Sequence, residues 1–297
     1  MAENNAIGWI GLGKMGVPMA GHLLNAGFAL TVNSRSSAPV AALCDAGAEA
    51  AASPAAVAEK AEVIISMTSD DTALADVSTG PNGVFTTAAP GTLFIDMSTV
   101  SPDISARVAA RAGECGIGFL RAPVSGGVAL AVAGKLTVLA SGARADFKTA
   151  EPLFDAMAKK SFYVGSGEEA RYIKLALNMM VGMTSAMMGE ALVFAERGGA
   201  ARDTILDVMG ESAIASPLVG YKLEPMRKRD FSATFSARQM AKDFDLLLGA
   251  ARHTDTPLPL AALVRQMWSS MIASGAGEED FLAYVKTMEA LSGMSRE

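Results

Sequence analysis

The stretch that decides the fold lies near the amino end, where residues 6–26 read AIGWIGLGKMGVPMAGHLLNA. It starts with a short apolar run, Ala6–Ile10, which is typical of a buried strand. The run ends in Gly11-Leu12-Gly13-Lys14-Met15-Gly16, and residues 17–26 then carry apolar side chains at helical spacing. This order of strand, glycine turn and helix predicts a dinucleotide site, because the turn and the amino end of the helix present backbone N–H groups to a pyrophosphate.

The three glycines of the turn have separate expected roles. Gly11 allows the tight turn, Gly13 lets the pyrophosphate approach the backbone, and Gly16 lets the helix and the strand pack closely. Glycine turns are common, so the pattern alone is not specific. Its place after a strand and inside a βαβ unit makes a cofactor site the interpretation that we favour.

Strand and helix patterns alternate from this turn to about residue 165, and the patterns beyond it are helical. Predicted strands are 6–10, 29–32, 63–67, 93–96, 118–122, 134–140 and 161–164. Predicted helices are 17–26, 38–46, 72–77, 103–112, 145–157, 168–198, 201–210, 236–253, 259–273 and 278–292. The sequence therefore predicts an α/β fold, with an N-terminal Rossmann-type doubly wound sheet of parallel βαβ units in residues 1–165. An all-α domain, residues 166–297, is expected to follow and to contain a long central interdomain helix.

Composition bounds the class of protein. The 297 residues are 51% hydrophobic and 19% charged, with a formal net charge of −6, which is typical of an ordered globular protein. No clustered basic face is evident, so we expect no nucleic-acid partner. We interpret the short basic run 227–229 as a solvated turn.

The compartment follows from cysteine usage and from the apolar segments. Cys44 and Cys115 are too few for a disulfide scaffold, and the first residues lack the basic region of a signal peptide, so we expect a cytoplasmic protein. The apolar stretch 175–195 contains Asn178 and Glu190. We therefore interpret it as a buried central helix and expect no membrane partner.

The residues after the second predicted strand indicate which dinucleotide is bound. NAD-binding domains carry an acid there that binds the ribose hydroxyls. Here the segment reads Asn33-Ser34-Arg35-Ser36-Ser37, and no acid occurs between Glu3 and Asp45. A guanidinium flanked by the hydroxyls of Ser34 and Ser36 suits the 2′-phosphate of NADP(H). NADP(H) is favoured, and NAD(H) is the alternative if Arg35 is only an exposed loop residue.

Residue types exclude several common dehydrogenase sites. The two histidines, His22 and His253, lie behind the glycine turn and at a predicted helix end, and no tyrosine has a lysine four residues later. Two histidines and two cysteines are too few for the usual ligands of a catalytic zinc, so no metal is expected. The proton donor must be another group.

Lys174 is the candidate proton donor, because the residues around it, 172–177, are otherwise apolar. Loss of hydration lowers the pKa of a lysine from about 10.4 toward the range useful for acid–base work. Asn178 lies one helical turn later on the same face and could hold the lysine or a substrate hydroxyl. The alternative is a lysine that snorkels from the helix start, with Asn178 as a polar group between helices.

A second glycine turn follows the strand 118–122, in the segment Arg121-Ala122-Pro123-Val124-Ser125-Gly126-Gly127. The backbone N–H groups of this turn and the Ser125 hydroxyl could bind a carboxylate. An ordinary loop is the alternative.

Together, these motifs resemble the β-hydroxyacid dehydrogenase family, which includes 3-hydroxyisobutyrate dehydrogenase, tartronate semialdehyde reductase and relatives of 6-phosphogluconate dehydrogenase. The resemblance covers essentially the whole chain. Five segments in family order carry it: Gly8–Ala20, Asp96-Met-Ser-Thr99, Ala122–Gly127, Lys174-x-x-x-Asn178, and Asp230-Phe-x-x-x-Phe235 with Lys242-Asp243.

The resemblance implies an NADP-dependent, or alternatively NAD-dependent, dehydrogenase or semialdehyde reductase. Its small carboxylated substrate would be of the 3-hydroxyisobutyrate, glycerate/tartronate semialdehyde or 4-hydroxybutyrate/succinic semialdehyde type. Lys174 would be the general acid/base and Asn178 would position the substrate. The implied contacts to the substrate carboxylate are Ser125, Gly126 and Gly127. The implied contacts to the cofactor are the first glycine turn, Thr68, Ser69, Thr99 and Lys242. Of these, Lys242 would also lie near the substrate.

Three departures from the family pattern leave the substrate open. Arg121 stands where the family usually has an acid, Leu177 replaces a second asparagine, and Thr68-Ser69 replaces a leucine-proline pair. Arg121 could favour a more anionic substrate or could pair with an acid elsewhere.

Two other functions remain compatible with the sequence. One is an imine reductase-like enzyme, although those relatives usually lack the lysine, and the other is a non-catalytic NADPH-binding module on the same fold. The resemblance implies a homodimer or homotetramer that packs through the long central helix. This assembly would explain the Met-rich, charge-poor segment 179–188, and an intramolecular core alone is the alternative.

Overall fold

The computed structural model describes residues 6–294. Contacts within the chain define two compact units, Met1–Lys174 and Leu175–Glu297. The fold prediction is confirmed, since an α/β unit is followed by a helical one and the predicted long helix is present as α8 (Glu169–Arg197).

The strands of the first unit form one nine-stranded sheet. They are β1 (Ile7–Ile10), β2 (Leu30–Asn33), β3 (Glu49–Ala50), β4 (Val63–Ser66), β5 (Leu93–Asp96), β6 (Gly118–Arg121), β7 (Val124–Ser125), β8 (Leu136–Ser141) and β9 (Ala158–Gly165). The strand order is β3-β2-β1-β4-β5-β6-β8-β7, and β9 pairs with β8. Because β1 lies between β2 and β4, the chain reverses its direction of winding there, and parallel doubly wound sheets bind ligands at this switch point.

The sheet is not wholly parallel, which corrects the expectation of parallel βαβ units throughout. The pairs from β3 to β6 are parallel, whereas β8 runs antiparallel to both β6 and β7. Parallel neighbours need a crossover of about a dozen or more residues between them. The ten residues between β7 and β8, 126–135, are fewer than such a crossover needs, and β8 returns antiparallel to β7.

The helices of the first unit are α1 (Gly16–Asn25), α2 (Ser37–Asp45), α3 (Pro54–Ala58), α4 (Asp71–Thr79), α5 (Pro102–Glu114), α6 (Val128–Val132) and α7 (Arg144–Met157), with a 3₁₀ turn at Val84–Thr86. Several begin where the sequence provides a cap. Ser53, Asp70 and Ser101 each accept a hydrogen bond from the backbone N–H three residues later. Proline follows Ser53 and Ser101 at the first helical position, where its missing N–H costs nothing.

Both faces of the sheet are buried. Ile65 and Ile95 belong to one apolar cluster, while their neighbours Ile64 and Phe94 belong to the other, because successive side chains of a strand point to opposite faces. Trp9 in β1 is fully buried in the first cluster. These short strands are therefore mostly apolar, as expected for a parallel sheet covered by helices.

The second unit is helical and has its own core. Beyond α8, its helices are α9 (Arg202–Glu211), α10 (Pro217–Lys228), α11 (Ala237–His253), α12 (Pro259–Ala273) and α13 (Tyr284–Leu291), with a 3₁₀ turn at Phe281–Ala283. Trp268 is fully buried at the centre of this core, in edge contact with Phe244, Phe281 and Tyr284.

The prediction of a solvated turn at residues 227–229 was wrong. Arg227 and Lys228 form the last turn of α10, where cations favour the negative end of the helix dipole. Arg227 pairs with Asp203 and Asp207 on α9. Arg229 ends the helix with a left-handed φ of 54°. The missed signal was Ser216-Pro217, a cap and first-position pair.

In the described residues, α8 alone is long and apolar enough to cross a membrane by length and composition. Within its most apolar window, 39% of the residues are buried inside the chain. Core helices pass the same test, and the buried residues of α8 include Leu192 and Val193 in the core of the second unit.

Candidate active site

The first glycine turn is shaped by backbone packing. Gly11 has a φ of +96°, and an added Cβ would lie 2.2 Å from the carbonyl oxygen of Met67. A Cβ on Gly16 would lie 2.1 Å from the carbonyl oxygen of Gly11, whereas a Cβ on Gly13 would meet nothing within 4 Å. Gly11 and Gly16 are thus required by the protein's own backbone, whereas Gly13 leaves open space, as expected of a turn that a pyrophosphate approaches.

Two further contacts hold this turn. The Trp9 indole N–H donates to the Gly11 carbonyl at 2.9 Å, and the Leu12 backbone N–H donates to the Ser34 hydroxyl at 3.3 Å. Lys14, Met15 and the start of α1 follow directly. The second contact ties the first glycine turn to the segment after β2, where a dinucleotide places its adenosine ribose.

The segment after β2 carries an exposed cation. Arg35 and Ser36 are exposed, and Ser36 lies at the amino end of α2 without using its hydroxyl as a cap. Asn33, at the strand position where an acid would stand, donates from its amide to the Ala51 carbonyl at 2.9 Å. The groups available to an adenosine ribose here are a guanidinium and hydroxyls, which fit a 2′-phosphate.

The turns after β4 and β5 lie at the same sheet edge as the glycine turn, because Ile10 pairs with Ser66 and Ser66 with Asp96 in parallel register. Thr68 contacts Ser98 through both its backbone N–H (2.8 Å) and its hydroxyl (2.9 Å). Ser69 is exposed and donates to Asp70, and Thr99 is half-buried. The predicted cofactor residues of the first unit therefore gather at one edge.

Arg121 pairs with an acid and does not project toward a substrate as a free charge. Its Nε donates to Glu168 Oε1 at 2.7 Å, its second guanidinium nitrogen contacts the same oxygen, and its guanidinium lies 4.9 Å from the centre of the Phe119 ring. Arg121 is 8% exposed. Of the two roles left open by the sequence, the geometry supports the ion pair.

The second glycine turn begins where β7 ends. Ser125 is half-buried, Gly126 has a φ of +128°, and exposed Gly127 precedes α6. An added Cβ on Gly126 would lie 2.8 Å from a Leu136 methyl group. Ser125, Gly126 and Gly127 thus stand together at the start of a short helix, and their binding of a carboxylate stays a prediction.

Lys174 is half-buried on the second turn of α8, and its neighbours Tyr172 and Ile173 are exposed. The expected apolar enclosure of the ammonium is therefore incomplete in this chain. Asn178, four residues later, lies on the same face of the helix.

Within the second unit, Asn178 and Lys242 share one acidic partner. The Asn178 amide nitrogen donates to Asp243 Oδ2, and Lys242 Nζ lies 3.1 Å from Asp243 Oδ1. Asp243 is 2% exposed. In the sequence, Asp243 stands within the motif Lys242-Asp243 and has no predicted role. Its position directly after Lys242 was the available signal, but nothing local showed that it reaches Asn178, 65 residues away.

Among residues 6–294, no group of three or more His, Cys, Asp or Glu side chains is placed to hold a metal ion.

A doubly wound sheet with a glycine turn at its switch point defines the first unit as the nicotinamide dinucleotide-binding part of an oxidoreductase. Residues 6–165 match the family model of the NAD binding domain of 6-phosphogluconate dehydrogenase, and residues 165–288 match that of the NAD-binding of NADP-dependent 3-hydroxyisobutyrate dehydrogenase. The chain belongs to the β-hydroxyacid dehydrogenase family, which confirms the resemblance seen in the sequence.

Relatives match the chain over nearly its full length. It is 33% identical to 2-(hydroxymethyl)glutarate dehydrogenase of Eubacterium barkeri, covering 99% of this chain and 98% of that protein. It is 32% identical to glyoxylate/succinic semialdehyde reductase 1 of Arabidopsis thaliana, covering 95% and 98%. The structure of Mycobacterium tuberculosis 3-hydroxyisobutyrate dehydrogenase with L-serine superposes with a TM-score of 0.87 at 28% identity, covering 96% and 99%.

Proposed function

We propose that this chain is an NADP(H)-preferring enzyme that interconverts a small carboxylated semialdehyde and its β- or γ-hydroxyacid. The observation that carries the proposal is the pair Lys174 and Asn178, one turn apart on α8 in a chain of this family. Relatives named for 2-(hydroxymethyl)glutarate and for glyoxylate or succinic semialdehyde support a small carboxylated substrate.

The proposed reaction assigns one task to each group. A nicotinamide dinucleotide held at the first glycine turn would supply the hydride chemistry of the reaction. The Lys174 ammonium donates a proton to the carbonyl oxygen in reduction, and the neutral amine takes up the hydroxyl proton in oxidation. The Ser125 hydroxyl and the backbone N–H groups of Gly126 and Gly127 bind the carboxylate, while Asn178, held by Asp243, orients the substrate.

The cofactor preference rests on the segment after β2. The exposed Arg35 guanidinium and the hydroxyls of Ser34 and Ser36 would bind the 2′-phosphate through charge-assisted hydrogen bonds. A carboxylate at this point would repel the phosphate, and residues 33–37 contain none.

We also propose that the chain assembles into a homodimer or homotetramer through α8. The Met-rich segment 179–188 divides in the structure: Met188 is buried in the core of the second unit, whereas Met180 and Met187 are 60% and 61% exposed. Phe194 continues their seven-residue spacing and is 81% exposed. Such a stripe of large apolar side chains on one helix face favours burial against another copy.

The proposed compartment is the cytoplasm. Both cysteines are free thiols, which is usual in a reducing compartment.

The activity is tested by following NADPH oxidation with succinic, methylmalonic, tartronic and malonic semialdehydes and glyoxylate, in wild type and Lys174→Ala. We expect rapid turnover of at least one aldehyde, and a loss of about 10²- to 10⁴-fold in kcat in the variant, which is typical for removal of a general acid. NADPH binding, measured by cofactor fluorescence, should persist. Lys148→Ala, an exposed lysine on α7, is the matched control.

Two results would contradict the proposal. Near wild-type turnover in Lys174→Ala would remove the lysine from the mechanism. Tight NADPH binding with no turnover of any aldehyde by the wild type would favour the non-catalytic module.

A further inference from the structure

A fully buried arginine lies one helical turn before Lys174. Arg171 is 1% exposed, and all three nitrogens of its guanidinium are bonded. Its NH2 group donates to Asp96 Oδ2 at 2.6 Å, its NH1 group to the Ser98 carbonyl at 2.7 Å, and its Nε to the Ser105 hydroxyl at 3.1 Å. These partners belong to the end of β5, the turn that follows it, and α5.

The buried acid continues the network to the neighbouring strand. Asp96 is 0% exposed, and its Oδ1 accepts hydrogen bonds at 2.6 Å from the hydroxyls of both Ser66 and Ser98. The Ser98 oxygen in turn contacts the backbone N–H and the hydroxyl of Thr68. A continuous chain of bonds therefore leads from Arg171 through Asp96 and Ser98 to Thr68, one of the proposed cofactor contacts.

The direction of these bonds is determined by the number of hydrogens available. An ionised carboxylate only accepts, so the single hydrogen of the Ser98 hydroxyl is directed at Asp96. The Thr68 hydroxyl must then donate its own hydrogen to Ser98. Its lone pairs are left to accept a hydrogen bond from an amide or hydroxyl group of the dinucleotide.

Stability alone gives little reason to bury this pair. Removing two charges from water is costly, and apolar side chains of similar volume often stabilise a core equally well or better. An ion pair differs from an apolar contact in its directionality, because it fixes the orientation of both partners. Here Arg171 precedes Lys174 by three residues. Its partner Asp96 ends β5 and contacts Ser66 at the end of β4 and Ser98 in the turn after β5.

We infer that Arg171 is a positioning residue: through Asp96 and Ser98 it fixes the turn of α8 that carries Lys174 relative to the cofactor-lining residue Thr68. This inference rests on the proposed function, in which Lys174 transfers the proton. Misplacement of a reacting group by about 1 Å can cost on the order of 100-fold in rate. Loss of Arg171 should therefore slow the chemical step and should affect substrate binding much less.

The test compares Arg171→Gln, Asp96→Asn, their double variant and the conservative Arg171→Lys with wild type. Arg202→Gln is the matched control. It also breaks an ion pair to a buried acid, Glu289, but Arg202 lies on α9 in the second unit, away from Lys174 in the sequence. In Arg171→Gln we expect kcat to fall about 10- to 100-fold with a much smaller change in KM. The deuterium isotope effect on kcat with deuterated NADPH should increase, because hydride transfer becomes rate-limiting.

The variants should also show whether Arg171 and Asp96 act through the same chain of hydrogen bonds. The double variant should lose no more kcat than the worse single variant, because both changes break the same chain of bonds. Arg171→Lys should lie between wild type and Arg171→Gln, since an ammonium can reach Asp96 but cannot form the three-way geometry. In the cofactor-free protein, hydrogen exchange at residues 169–174 should be faster in Arg171→Gln than in wild type and unchanged in Arg202→Gln.

Several outcomes would overturn the inference. One is a wild-type kcat and isotope effect in folded Arg171→Gln, and another is an equal loss of kcat in Arg202→Gln, which would indicate a general effect of stability. If Arg171→Gln does not fold, Arg171→Lys decides, and a wild-type kcat in that variant contradicts the inference. A wild-type protein with no aldehyde turnover contradicts the proposed function instead, and the hydrogen-exchange comparison still tests the network.

Discussion

Arg35 is the residue on which the cofactor preference depends, since it is exposed after β2 where NAD-binding domains carry an acid. Arg35→Asp removes a donor to the 2′-phosphate and adds a repelling charge. Because a hydrogen bond to a charged group contributes about 1.5–3 kcal/mol, we expect the ratio of kcat/KM for NADPH over NADH to fall by about 10- to 100-fold. Steady-state kinetics with both cofactors and one aldehyde measures the ratio.

Arg107→Asp serves as the control, because Arg107 is an exposed arginine on α5 of the same unit. It changes the net charge equally without touching the segment after β2. An unaltered preference in Arg35→Asp, or an equal shift in Arg107→Asp, would contradict a direct contact between Arg35 and the phosphate.

For single residues, the sequence indicates which element each residue belongs to, but it does not identify the hydrogen-bond and ion-pair partners that lie far away in the chain. The family resemblance implied that Thr68 and Thr99 contact the cofactor, and both residues follow strands that end at the same sheet edge as the first glycine turn. The pairs Arg121–Glu168 and Asp96–Arg171 join residues 47 and 75 positions apart. No local pattern encodes such contacts, since they form only when the sheet and α8 are in place. The roles given to the candidate site residues remain predictions.

Among the elements of the second unit, α9, α10 and α13 are joined by Glu289. Burial alone would raise the pKa of this carboxyl, but hydrogen bonds from Arg229 and Arg202 outweigh it and leave the pKa below its usual value of 4.5. The unfolded chain therefore binds this proton more readily than the folded one. The contribution of Glu289 to stability is present above about pH 4.5 and is lost as the pH falls through the lower, folded-state pKa.

Glu289→Gln should consequently be less stable than wild type at neutral pH, and the difference should narrow below pH 4.5. Thermal melts across this range measure it. Glu278→Gln, which removes a carboxylate from an exposed pair with Arg238, should show little difference at any pH. A gap between Glu289→Gln and wild type that stays constant with pH would contradict the assignment.

Four of the elements that the sequence did not predict lack a recognisable period. β3 and α3 lie in an alanine-rich tract, 46–61, where nearly uniform side chains give no periodic contrast. β7 and α6 are two and five residues long, too short for a period to be recognised. Elements with a clear pattern, such as the amphipathic helix α5 and the apolar run of β5, were predicted within a few residues of their bounds.

For the whole molecule, the proposed assembly can be tested on the exposed face of α8. Met187→Lys places a charge among large apolar side chains, and we expect it to lower the molar mass measured by light scattering from that of an oligomer toward that of one chain. Val208→Lys on α9 is a matched control, since Val208 is also 61% exposed. A monomeric wild type, or an oligomer unchanged by Met187→Lys, would contradict assembly through this face.

The two-part organisation was predictable because the pattern of the chain changes from alternating strands and helices to helices alone. The antiparallel direction of β8 could not be predicted in this way, because strand direction depends on how the links pack and not on the strand residues themselves.

Each unit also contains one of the two tryptophans of the chain, Trp9 in the first and Trp268 in the second, and both are fully shielded from water. They are therefore built-in fluorophores whose emission shifts to the red when their own surroundings open. With one of them replaced by phenylalanine, the remaining indole reports on a single unit. A denaturant titration of the two single-tryptophan proteins can thus separate the unfolding of the nucleotide-binding part from that of the helical part, without an external label.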